Sequence, residues 1–199
     1  MTEQETQEEL LSRFELVEMM LKEGRRSTEY WGWTFVLWGA AYLIAIAWSY
    51  WWRQPNLAWP VTMITAAVLT TVVAARKKRA KPQTPVSRAI RGIWTAVGVA
   101  IFIFCFAVGL SGHAEMHSYI ATIEILLGVA NCAVSMVLRW RGQFFIALLW
   151  WISAVATCYV GSQWITPILV ADTLIGLLGF GLYLMYRERR DRRLRVQHG

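Results

Sequence analysis

The sequence predicts an all-α integral membrane protein of six transmembrane helices in three tandem hairpins, with both ends of the chain in the cytoplasm. Three observations predict it. Of 199 residues, 56% are hydrophobic and only 17% charged, a balance too apolar for an ordinary soluble domain of this length. Six apolar runs each reach the roughly 20 residues that a helix needs to cross a hydrocarbon core of about 30 Å. Almost all the Lys and Arg residues, finally, fall in alternate gaps between those runs.

The spans are placed at Tyr30–Trp52, Leu57–Ala75, Ile90–Ser111, His117–Leu138, Gln143–Gly161 and Ile165–Tyr186. Their continuity excludes a transmembrane barrel, whose strands alternate apolar and polar residues over about ten positions. The chain then divides into an N-terminal segment (1–29), the six-helix bundle (30–186) and a basic tail (187–199). Cys105, Cys132 and Cys158 fall in three different spans with no metal-ligand spacing, and read as small buried hydrophobes.

Before the first span, Leu10, Phe14, Val17 and Leu21 recur at helical spacing among charged residues, which predicts an amphipathic cytoplasmic helix ending near Gly24. Its acidic start is unlike a signal peptide, so this segment is expected to be retained. It is a candidate docking element for a cytoplasmic protein partner or for homo-oligomerisation. The third span follows a Pro-containing basic stretch, Lys77 to Pro85, read as a linker.

Charge orients the chain. Of its 20 Lys and Arg residues, Arg53 alone lies on the far side of the predicted spans, so the positive-inside rule assigns both termini and the even-numbered loops to the cytoplasm, as in a bacterial inner membrane. Tryptophans mark both interfaces: Trp31, Trp33, Trp94 and Trp140 on the basic side, Trp51, Trp52, Trp59 and Trp164 on the other. The net charge of +7 is spread over loop ends and meets anionic lipid head groups rather than nucleic acid. Arg76, Lys77, Lys78, Arg79, Arg189 and Arg190 are the candidate contacts, each worth about 1 kcal/mol near such a surface.

Two ionisable residues lie at bilayer depth, where insertion costs about 2.5 to 3.5 kcal/mol and a functional role is the default reading. Glu124 in the fourth span and Asp172 in the sixth precede Arg139 and Arg187 by the same interval, which puts them at similar depth. On a helical wheel His113, His117, Glu124, Asn131 and Ser135 fall within roughly 40° of one another, and Asp172 shares a face with Gly176, Gly179 and Tyr183. If the two stripes meet, a carboxyl pair at one depth binds a cation or shares a proton. The competing reading is hydrogen-bonding glue between helices. His113 and His117, four residues apart, form a minimal metal-binding pair.

The run Gly109-Leu110-Ser111-Gly112 resembles the serine motif of rhomboid intramembrane proteases, whose nucleophile is paired with a histidine on the sixth span. No histidine falls in this sixth span, so Ser111 lacks a base and catalysis is not expected. The aspartate pair of aspartyl intramembrane proteases, deep histidines for haem and phosphate-binding glycine loops are all missing, and no cofactor is called for. The sequence is thus read as a small cation- or proton-coupled transporter or channel, with a non-transporting sensor or anchoring subunit as the second reading.

Overall fold

A computed structural model describes residues 11–20, 31–52, 55–77, 85–112 and 115–197. It is helical almost throughout, with no strand among the described residues. After a short helix, α1 (11–20), come α2 (Gly32–Trp51), α3 (Pro55–Lys77), α4 (Pro85–Ser111), α5 (Met116–Leu138) and α6 (Arg141–Tyr159). Then α7 (Ser162–Asp172) passes through a π-helical segment (Thr173–Gly179) into α8 (Phe180–Gln197). Counting α7 to α8 as one, six helices are long and apolar enough to cross a membrane.

Local chemistry sets the ends. Proline opens α3 and α4, at the first helical position, where its missing N–H costs nothing. Glu115 caps α5 by accepting the backbone N–H of Ser118 at 3.0 Å. At the other end of α5, Arg139 takes a left-handed φ of 48°, and the Trp140 N–H closes back on the Ser135 carbonyl at 3.0 Å. That 6→1 closure turns the chain directly into α6.

The boundaries differ from the predicted spans mainly at two places. α4 begins at Pro85, five residues before Ile90, because nothing after that proline breaks the helix. The sixth helix does not stop at Tyr186 but runs on through the basic residues to Gln197. Of the amphipathic N-terminal segment, 11–20 is helical with Phe14 and Val17 exposed; Leu10, Leu21 and Gly24 lie outside the described residues.

In the bundle α2 lies against α3 and α4 against α5, and the most extensive packing joins α5 and α6. α2 also packs on the π segment and α8. That crossing is tight: a Cβ on Gly32 would stand 2.7 Å from Leu184 Cβ, and one on Gly181 would stand 2.9 Å from the Gly32 carbonyl oxygen. Beside it Phe35 meets Trp94 and Phe180 edge to face, at 5.3 and 5.4 Å between ring centroids. α3 and α4 bury little within the chain and turn Val61, Ile64, Val68, Val99, Phe102, Ile103 and Phe106 outward.

Replacing Gly32 by Val should therefore lower stability by about 1–3 kcal/mol through overpacking. Gly98→Val, on α4 where a Cβ meets nothing within 4 Å, should be close to neutral. Thermal unfolding of both variants in one detergent checks the contrast.

Candidate functional site

The polar residues buried among these apolar helices gather where α5, α6 and α7 meet. Glu124 and Asn131 on α5 are spaced by seven residues, as are Gln143, Trp150 and Thr157 on α6, so each set occupies one helical face. All five, with Ser153, Asp172 and Thr173, are buried. A buried polar group without a partner costs about 1–3 kcal/mol, so the pairing of each defines what the site can do.

Glu124 Oε2 accepts the Thr157 hydroxyl at 3.0 Å, and Asp172 Oδ1 accepts the Ser153 hydroxyl at 2.7 Å. The other two carboxyl oxygens, Glu124 Oε1 and Asp172 Oδ2, receive no N–H or O–H from the protein. The two side chains are nonetheless close enough to influence each other. Carboxylates only accept, so a bond between two carboxyls exists only when one of them carries a proton. Among the described residues no Lys, Arg or His is buried to neutralise them instead.

Toward the basic end of the helices, Gln143 Nε2 donates to Asn131 Oδ1 at 3.0 Å, and Asn131 Nδ2 donates to the Leu127 carbonyl at 2.8 Å. Between this amide pair and the carboxyls stands Trp150, fully buried, its indole Nε1–H unpartnered. Its ring fills the space where Gly176 of the π segment has no side chain: a Cβ there would lie 3.1 Å from Nε1. π segments of this kind occur often at functional sites.

At the opposite end, His117 Nδ1 lies 3.1 Å from Glu115 Oε1 and Nε2 3.1 Å from the Val160 carbonyl, tying the start of α5 to the end of α6. Glu115 also takes the Ser118 hydroxyl. The Ser118 hydroxyl and N–H, together with the ring of His117, hold the Glu115 carboxyl below its usual range.

The residues expected at the site are thus distributed unevenly. Glu124, Asp172 and Asn131 come to the α5–α6–α7 junction, and His117 lies two turns from Glu124 on the same face of α5. Ser135 is buried on that face but spends its hydroxyl on the Cys132 carbonyl of its own helix, at 2.8 Å. Gly179 and Tyr183 leave the face of Asp172. Tyr183 is half-exposed and stacks on Phe180, because the i→i+5 turns of the π segment shift the phase on which the wheel relied. Ser153, Thr157 and Trp150 are the addition; the seven-residue recurrence from Gln143 was the signal for Trp150 and Thr157.

His113 lies outside the described residues, and the ring nitrogens of His117 face oxygens of Glu115 and Val160. Among the described residues no three His, Cys, Asp or Glu side chains gather as metal ligands. Ser111 is exposed and donates to the Val108 carbonyl of its own helix. Of the head-group candidates, Arg76, Arg189 and Arg190 are exposed, Lys77 ends α3, and Lys78 and Arg79 lie outside the described residues. Comparison with family models, curated proteins and solved structures finds no match to this chain.

Two outcomes follow from the pairing. Asn131→Ala and Gln143→Ala should each cost about 1–3 kcal/mol by orphaning a buried amide, and the double variant should cost less than their sum; a thermodynamic cycle in detergent measures the coupling. Because the Glu115 carboxyl sits below its usual range, the cap is complete above the ordinary glutamate range and is lost as pH falls through the lowered value. Hydrogen exchange at the first turn of α5 should accelerate across that acid window, and in Glu115→Gln the acid dependence should vanish.

Proposed function

We propose that this protein is a small membrane transporter or channel whose coupling ion is a proton carried by the Glu124–Asp172 pair. The observation that supports it most is the proximity of two buried carboxyls, with no buried base among the described residues. Such a pair holds a proton between its members, and its charge changes when that proton leaves. A metal cation is favoured less: hard cations take six or more oxygen ligands, and two of the four carboxyl oxygens here already accept hydroxyls.

In this reading His117 stands at the mouth of the α5 face, and Asn131 with Gln143 at its far end. The positive-inside rule puts the amide end toward the cytoplasm with both termini, in a bacterial inner membrane. Arg76, Arg189 and Arg190 then lie against anionic head groups.

A second reading, a non-transporting sensor or anchoring subunit, draws on α1, which exposes Leu11, Phe14 and Val17. The carboxyls separate the two. An anchor tolerates Glu124→Gln with Asp172→Asn, whereas a proton carrier does not. In proteoliposomes under an imposed pH gradient, the native chain should move protons and the folded double variant should lose at least tenfold of that flux. No flux from either protein would reject transport and direct attention to a partner bound through α1.

A further inference from the structure

Two buried donors at the site have no acceptor, the Trp150 indole N–H and the Thr173 hydroxyl. Trp150 is fully buried and its Nε1–H has no acceptor, although an indole N–H ordinarily finds one when it leaves water. In the same cluster Glu124 Oε1 and Asp172 Oδ2 receive no donor. An unpaired donor beside unpaired acceptors marks an arrangement in which the partners are exchanged rather than missing.

Position makes the exchange feasible. α6 and α7 run antiparallel, so their contacts come in rungs. Ser153 binds Asp172 on one rung, and Trp150, one turn along α6, lies over Gly176, one turn along from Asp172. The indole is therefore the group adjoining the carboxyl pair on the side of the Asn131–Gln143 amides. Thr173 also has an unpartnered hydroxyl, but as the residue next to Asp172 it faces another direction on the helix. The titratable groups at this junction are Glu124 from α5 and Asp172 from α7. α6 contributes the hydroxyls of Ser153 and Thr157, and α2 meets the π segment through Gly39 against Leu177 and Leu178.

We propose that Trp150 is the positioning residue for proton release: its indole N–H, unpaired while the two carboxyls hold each other, donates to whichever of Glu124 and Asp172 is ionised once their proton has gone. The inference rests on the proton reading of the pair. With the proton present, the carboxyl–carboxyl bond satisfies both groups. When it leaves, two buried carboxylates repel each other, and the carboxylate that turns away finds the Trp150 N–H. That bond stabilises the ionised state and so eases release of the proton. Because Gly176 has no side chain, the ring can occupy this position.

The test uses the full chain, labelled with 15N at its indoles, in lipid nanodiscs. Carboxyl titration is followed by infrared difference spectroscopy and the indole N–H signals by NMR, with Trp150 assigned through its loss in Trp150→Phe. The Trp150 proton signal should move downfield with the same pH midpoint as the carboxyls. In Trp150→Phe, which keeps a ring and loses the donor, that midpoint should rise by about one pH unit, tenfold in proton affinity. A Trp150 signal that stays still while the carboxyls titrate overturns the inference and leaves the proton reading standing, as does an unchanged midpoint in the folded variant. A native chain with no carboxyl titration overturns both.

Discussion

The structure depends on two acidic side chains enclosed by apolar helices, with no buried base among the described residues to balance them. Leaving such groups unpaired in a low-dielectric interior is costly enough that their partners are dictated rather than chosen. Glu124 needs Thr157, Asp172 needs Ser153, and each carboxyl needs the other. These demands tie α5, α6 and α7 together at one depth. α6 is the hub, since its hydroxyls serve both neighbours, and its contact with α5 is the most extensive in the bundle.

Around that junction the packing follows from small residues and rings. Gly32 and Gly181 let α2 cross α8 backbone to backbone, and Phe35, Trp94, Phe180 and Trp140 fill the space beside the crossing. Arg187 lies over the Trp140 ring, 5.7 Å from its centroid, a cation–π contact where the apolar core gives way to the basic end. α3 and α4 contribute outward apolar surface more than core.

Much of this was legible in the residues themselves. Six long apolar runs give six long helices, because length and hydropathy are properties of a segment alone. The shared depth of Glu124 and Asp172 followed from counting back to Arg139 and Arg187, and a helix's fixed rise makes such counting sound. Rotation is less readable than depth. Tyr183 and Gly179 were placed with Asp172 on a uniform wheel, and the π segment, which contains no proline, invalidates that wheel. Ser153 and Thr157 were overlooked because single hydroxyls are common in apolar helices and draw attention only once a carboxyl faces them. The continuation of α8 beyond Tyr186 was hidden because hydropathy marks where an apolar run ends and not where the helix does.

The π segment has one more consequence. A straight helix offers a single stripe to its neighbours, yet α7 must meet α5 and α6 while α8 must meet α2. The wide turns between Thr173 and Gly179 rotate the second half relative to the first, so one continuous helix serves neighbours on two sides without a break in its backbone bonding. The cost of the irregular stretch is local, and what it secures is an unbroken series of contacts from α2 through α8 and α7 to α5, where the carboxyl pair lies.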